Sequence, residues 1–348
     1  MTKLLSRRRF LGALASSGAV AALLLGGSSI TASAQTLVAS QVPAQAGIAR
    51  SPKTVRLLTI GNSFSGDATR LLDELVAAAG HVLVYRTGSI GGGTMAQHWQ
   101  KAMAHDRDSA DPAGLYGSGR SLRQELTAEP WDFVTIQQGS IVSHNSATYR
   151  PYAGQLHGYV RALAPRAEML VHQTWAYRVD DSRFAPAAPP RPGEPTTQRE
   201  MYEGLTRAYD VIAAELGGSA APPLRILPVG DAFFQADTDT VWGFKPDSTF
   251  NPKTAQKPAL PDQSRSLHIG WQWRSPAKEP TAPPTLGRDG HHASVAGQYL
   301  AACVFFEVLF NESAEGNGFV PKGIDPGYAR FLQKTAHAAV EARQKAKK

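Results

Sequence analysis

Residues 55–65 read Val55-Arg56-Leu57-Leu58-Thr59-Ile60-Gly61-Asn62-Ser63-Phe64-Ser65. The first six form a short apolar run of strand length, and Gly61-Asn62-Ser63 punctuates it ahead of a stretch with helical periodicity over 67–79. A strand that passes through a tight turn into a helix is the opening unit of a parallel sheet covered by helices. A serine at such a turn can project its hydroxyl at the rim of the sheet, and amides near the helix start can stabilise an oxyanion. Glycine, asparagine and serine also make ordinary turns and caps, so the stretch alone leaves both readings open.

The same alternation continues outward. Strand-like runs recur at 82–85, 132–137, 169–172 and 224–229, with helical periodicity at 95–104, 151–163, 197–216, 294–311 and 326–345. This pattern predicts an α/β fold, a three-layer α/β/α sandwich on a parallel sheet of about five strands, as one domain over residues 54–345. Two stretches break the rhythm. Residues 178–195 are rich in Pro, Ala and Arg, and 237–288 carry many prolines with Trp242, Trp271 and Trp273. Insertions of this length form lids or binding surfaces after the carboxyl ends of strands, or ordered subdomains with the tryptophans as core. No internal repeat is apparent.

Residues 1–34 read as a signal peptide, with a basic start, an apolar stretch too short for a membrane span, and Ala32-Ser33-Ala34 before Gln35. Ser6-Arg7-Arg8-Arg9-Phe10-Leu11 resembles a twin-arginine export signal, which implies the twin-arginine machinery as a partner and a periplasmic or secreted protein. Residues 35–53 read as a flexible, low-complexity segment, and a soluble mature chain without a stable membrane anchor is expected. Removing the four cations of 1–34, which has no acids, lowers the formal charge from +7 to +3. No basic, aromatic-interleaved surface of the kind that binds nucleic acid is present. The single cysteine, Cys303, excludes an internal disulfide and sits among Ala, Val and Phe as a buried small hydrophobe.

Three further segments carry chemistry. Gly287-Arg288-Asp289-Gly290-His291-His292-Ala293-Ser294 precedes a helix, and a short turn there would bring Asp289 against the ring of His292. A histidine base needs such a partner to fix its tautomer and stabilise the imidazolium. His291 is the adjacent rival for the base, Asp231 a rival orienter, and Ser294 a plain helix cap. Without a His-Glu-x-x-His run or a Cys/His array, no metal site is expected. Ser89-Ile90-Gly91-Gly92-Gly93-Thr94 follows the second strand and lets backbone amides approach a reacting oxygen. Gln137-Gln138-Gly139-Ser140 follows the third, where a side-chain amide can donate to an oxyanion. Trp99, Gln137, Trp175 and Tyr177 are candidates for substrate contact, with core packing the competing role of the aromatics. His98 and His144 lie near these segments in structural or solvent-facing roles.

The order of these blocks resembles the SGNH/GDSL hydrolases, named for Ser, Gly, Asn and His in four segments. Ser63 matches the nucleophile, in Gly-Asn-Ser-Phe-Ser rather than Gly-Asp-Ser-Leu, Gly92 matches the glycine block, and Asp289 with His292 matches the histidine block. At the asparagine block this chain departs, with Gln138 or its rival Gln137, similar to the Gln-Gly-Glu of carbohydrate acetylesterases. The segments His98-Trp99 and Gln173-Thr174-Trp175-Ala176-Tyr177 are similar to those of a bacterial subgroup whose substrates are largely unassigned. The resemblance covers roughly residues 54–311 and implies a flavodoxin-like SGNH fold, a Ser63-His292-Asp289 serine esterase, and an oxyanion hole of Ser63, Gly92 and Gln138. It implies no cofactor, and a small-molecule or glycan ester substrate with a short acyl group. A non-catalytic glycan-binding protein on the same fold, and a lipase or thioesterase, are the competing readings.

Overall fold

A computed structural model describes residues 51–186, 192–218, 222–275 and 282–345. The expected signal peptide, the segment 35–50 and the last Lys-rich residues lie outside the described residues, as do small parts of the two insertions. Residues from Ser51 onward form one compact unit.

The centre of that unit is a five-stranded sheet in the order β2-β1-β3-β4-β5, every neighbouring pair parallel. Its strands are β1 (Thr54–Gly61), β2 (Val82–Ser89), β3 (Phe133–Ile136), β4 (Glu168–His172) and β5 (Arg225–Leu227). From Leu57 to Gly61 every residue of β1 is buried, because a central parallel strand is covered on both faces. Chain order reverses between β1 and β3, which makes that crevice the topological switch point, where open α/β sheets bind ligands.

Helices α1 (Ser63–Thr69) and α2 (Leu72–Ala78) pack with α7 (Val229–Asp237), α8 (Val295–Phe310) and α9 (Pro326–Lys345). A second group, α3 (Met95–Arg107), α4 (Leu122–Leu126), α5 (Tyr152–Leu163) and α6 (Gln198–Gly217), packs together elsewhere on the sheet. Helix α8 is buried along almost its whole length, between the sheet and α9, which explains why its sequence is apolar on all sides. Cys303 lies at its middle, and burial pushes its thiol pKa far up, so it is an inert hydrophobe. The single helix expected over 67–79 is two, and the first begins at Ser63 because Asn62 caps it. No helix among the described residues is long and apolar enough to cross a membrane.

The long insertion differs most from expectation. It contains β6 (His268–Arg274), which pairs antiparallel with β7 (Thr285–Ala293), so Asp289 and His292 stand on a strand and not on a short turn. Glycines and charges in Gly287-Arg288-Asp289-Gly290-His291-His292 erase the alternation by which a strand is read. The tryptophans are partly buried: Trp242 stacks on Tyr328 and Phe331 of α9, and the Trp273 indole donates to the Ala259 carbonyl.

Candidate active site

Ser63 is the first residue of α1, directly after β1. Asn62 caps the helix, its Oδ1 accepting from Phe64 N at 2.9 Å. A first-turn amide has no carbonyl one turn back, so Ser63 N–H is available to a ligand. Gly61 must be glycine: a Cβ there would stand 2.4 Å from Ser65 Oγ and 2.7 Å from Gln137 Cγ. That closeness lets α1 leave β1 tightly against β3.

The glycine block after β2 closes a turn in which Gly93 N donates to the Ile90 carbonyl at 2.8 Å. Gly92 is its third residue, at φ +62°, a position that favours glycine. The turn is tied to the Gly61-Asn62-Ser63 segment twice. Ile90 N donates to Gly61 O at 3.0 Å, and Asn62 Nδ2 donates to Gly93 O at 2.9 Å. Beneath them, His98 donates from Nε2 to Gly61 O at 3.0 Å and accepts from the Tyr116 hydroxyl at Nδ1, 2.9 Å away. Burial lowers the His98 pKa to about 4, so the ring is neutral and its role is structural.

His292 stands on β7. His268 pairs with Ala293 and Gly270 with Asp289, so Gly290, His291 and His292 lie opposite the single Ile269. In a regular strand, residues three apart face opposite sides; this irregularity turns Asp289 and His292 to the same side. His292 Nδ1 stands 3.0 Å from Asp289 Oδ2, and Nε2 stands 2.9 Å from Ser63 Oγ. Asp289 Oδ1 also accepts from His292 N at 3.0 Å and His291 N at 3.3 Å, which fixes the carboxylate against its own strand. Arg274, across the hairpin, donates to Asp289 Oδ2 at 3.1 Å.

The electrostatics separate the two histidines. The hydrogen bond to Asp289 raises the His292 pKa despite partial burial. Burial dominates at His291 and lowers its pKa, although Asp289 opposes the shift. Burial also pushes the Asp289 carboxyl up, but hydrogen bonds from the His292 ring and backbone and the nearby imidazoles outweigh it and hold the carboxyl well below the usual range. Asp289, His291 and His292 present ligand-type atoms within 4.8 Å of one another, and His291 Nδ1 stands 3.3 Å from Asp289 Oδ1.

Other residues singled out in the sequence are placed differently. Gln138 turns its amide away from Ser63: Nε2 donates to Thr148 O at 2.9 Å, and Oε1 accepts from Met95 N and Gly139 N. Buried amides and a carbonyl in the loop after β3 need partners, and Gln138 supplies them. Gln137 is also buried and internal, its Nε2 donating to Asn62 Oδ1 and its Oε1 accepting from the Ser65 hydroxyl. Both side chains are engaged within the protein. Trp175 is fully buried between Phe64 and Phe233, with ring centroids at 4.3 and 4.5 Å, and its indole donates to His291 O at 2.9 Å. It supports the His291–His292 stretch of β7 from within the core, and its burial keeps it from any ligand.

Trp99 packs edge-on against Tyr159 of α5, as part of the core's margin. Tyr177 lies beside the site, its ring centroid 5.4 Å from that of His291 and its hydroxyl 3.0 Å from Ser140 Oγ, and is itself buried. Asp231 is not an orienter for His292, because it pairs with Arg343 at 2.6 Å and accepts from Gln173. His144 lies half-buried, 3.9 Å from Glu194. Sequence reasoning missed the hairpin, Arg274, and the structural tie made by Asn62. Asn62 was readable as a cap in front of a helix, but its bond across to Gly93 joins residues far apart in the chain.

The family described as Domain of unknown function (DUF4886) matches residues 56–186. The crystal structure of a DUF4886 family protein from Bacteroides uniformis is 25% identical, with a TM-score of 0.60, covering 83% of this chain and 95% of that one. The two share one overall fold. A phospholipase A1 from Streptomyces albidoflavus is 14% identical, with a TM-score of 0.34, covering 70% of this chain and 94% of that one. No curated protein matches the sequence.

Proposed function

We propose that this protein is a serine esterase in which Ser63 is the nucleophile, His292 the general base and Asp289 its orienter. The observation that carries the reading is the unbroken contact from Ser63 Oγ through His292 to Asp289, at 2.9 and 3.0 Å. In this mechanism His292 Nε2 takes the hydroxyl proton as Ser63 Oγ bonds to the ester carbonyl. The oxyanion is held by the backbone N–H groups of Ser63 and Gly92, at the helix start and in the glycine turn. The same proton then passes to the leaving alcohol as the ester C–O bond breaks, leaving an acyl-Ser63. Water, activated by His292, releases the acid and restores the serine.

The resemblance to carbohydrate acetylesterases supports a short acyl group on a glycan or other small alcohol as the substrate class. The leader-like composition of residues 1–34 supports export by the twin-arginine route, with Gln35 as the mature N-terminus; N-terminal sequencing of the exported protein tests this, and retention of 1–34 would refute it. The enzymatic reading is tested with a fluorophosphonate probe. The purified protein should be labelled at Ser63, as mapped by mass spectrometry, and His292→Ala should abolish labelling. Folded protein that resists the probe, and that hydrolyses no short-chain aryl ester, would sink the proposal.

A further inference from the structure

Asp67 stands on α1 four residues after Ser63, one helical turn along, and the mechanism above does not use it. Its Oδ2 accepts a hydrogen bond from Ala293 N at 3.0 Å. Ala293 is the residue after His292 and the last of β7. One short helix therefore presents the nucleophile at its first position and, a turn later, clasps the strand end that carries the base. The Ala293–Asp67 bond joins two elements distant in sequence and lies one residue along β7 from the other hydrogen bond between them, that of His292 Nε2 with Ser63 Oγ.

We propose that Asp67 is a positioning residue for the base, holding His292 over Ser63 and adding to Asp289 a second negative charge near the imidazolium. This inference rests on the reading of Ser63 and His292 as nucleophile and base. A neutral acceptor would suffice to hold Ala293 N. Only a carboxylate also changes the proton affinity of the base.

The charges around His292 come from three elements. Asp289 and His291 face it from β7, Arg274 from β6 and Asp67 from α1. Asp289 and Asp67 favour the protonated ring, whereas Arg274 disfavours it. Around Asp67 itself, burial raises the carboxyl pKa; the Ala293 amide, His292 and Arg70 lower it, and Asp289 raises it further. The half-buried position makes this a stronger interaction than an exposed charge of the same kind would give.

Two substitutions separate the two parts of the role. Asp67→Asn keeps an oxygen to accept from Ala293 N and removes the charge, and Asp67→Ala removes both. The His292 ring is titrated by NMR in each variant. In parallel, kcat/KM for a short-chain aryl ester is followed against pH, with active sites counted by the fluorophosphonate probe. For Asp67→Asn the His292 pKa, and with it the acid limb of kcat/KM, should move down by about half to one unit. Asp67→Ala should show the same shift and in addition lose about 10-fold in kcat with KM little changed, as the base loosens over the serine.

An unmoved His292 pKa in Asp67→Asn would overturn the proposal, as would loss of melting temperature alone with kcat and pH profile intact. If Asp67→Ala does not fold, Asp67→Asn decides. The NMR titration needs no turnover. A wild-type protein without esterase activity would therefore remove the hydrolase reading while the His292 shift still stood, whereas an active enzyme with an unmoved His292 would refute the Asp67 role alone.

Discussion

Asn62 joins the nucleophile turn to the glycine turn, its Nδ2 donating to the Gly93 carbonyl at 2.9 Å while its Oδ1 caps α1. The two backbone donors assigned to the oxyanion, Ser63 N–H and Gly92 N–H, sit on the two segments this side chain connects. Their spacing is therefore set by one residue next in sequence to the nucleophile. The buried Gln137 amide, which donates to Asn62 Oδ1, holds the asparagine in turn.

Replacing Asn62 should accordingly damage the transition state more than substrate binding. Asn62→Ala loses the cap, at a cost of about 1 kcal/mol in stability, and releases Gly93. Small misplacements at a reacting centre can cost ~10²-fold, so a fall in kcat of that order with nearly constant KM is expected. Asn62→Asp keeps the cap acceptor but replaces the donation to Gly93 O by two oxygens facing each other in a buried place, so it should be less stable as well as slow. Wild-type kcat in Asn62→Asp would show that the tie is dispensable.

The three relay residues should act as one unit. Ser63→Ala and His292→Ala should each remove nearly all turnover of a short-chain aryl ester, and the double variant should be little worse than either, because such losses are far from additive. Asp289→Asn should be severe, since it disturbs the tautomer and the charge of the base. His291→Ala is the control. Its ring lies outside the relay, so most activity should remain in a folded variant. Kinetics in which His291→Ala is dead and His292→Ala active would reassign the base.

What the sequence revealed of this site was what lies close together in the chain. The Gly61-Asn62-Ser63 turn follows its strand immediately, and Asp289 lies three residues before His292, so both could be read from spacing. Five strands of the central sheet were legible because each is a short apolar run with turn residues around it. The β6–β7 hairpin was not, because charges and glycines at the site override the alternation that marks a strand. Gln138 was misread for a related reason. Its buried position after β3 suits a donor toward substrate, but whether the amide faces Ser63 or Thr148 depends on the path of the loop up to Tyr149, which residue spacing does not encode. Trp175 shows the same limit: its aromatic ring after a strand end suited a sugar contact, whereas Phe64 and Phe233 close over it on both sides.

Arg274 predicts a shift opposite to that of Asp67. Its guanidinium lies against Asp289 Oδ2 and disfavours the imidazolium of His292. Arg274→Ala should therefore raise the His292 pKa further above 6.5, its ordinary value. The unprotonated ring is the working form, so activity falls as pH drops through that pKa, and the acid limb of kcat/KM should move to higher pH. The side chain is about half exposed, so solvent screens the effect and the shift should shrink as salt is added. A pH profile measured at low and high salt that moves downward, or does not move, would contradict the assignment.

Buried imidazoles give the last prediction, which concerns stability. His98 and His172 are fully buried, and burial lowers their pKa values to about 4 and about 3 from an ordinary 6.5. For His172 the cause is burial alone, and its Nε2 has no hydrogen-bond partner. The unfolded chain therefore binds protons at these two rings below pH 6.5 while the folded chain does not, so their stabilisation is complete above 6.5 and is lost as pH falls toward the folded values. His268 acts in the same direction, but Asp237, pushed up to about 7 by burial, keeps a proton in the folded state and cancels one. Each of the two rings can add up to roughly 1.4 kcal/mol per pH unit to the loss of stability between about pH 6 and 5. Urea unfolding at pH 7.5, 6.5 and 5.5 should show stability nearly constant over the first interval and falling steeply over the second. His172→Leu removes one proton from this balance without breaking a strong hydrogen bond, so its slope should be shallower than that of the wild type, whatever its absolute stability. A wild-type midpoint that does not fall between pH 6.5 and 5.5, or an unchanged slope in His172→Leu, would mean that these rings are protonated in the folded protein.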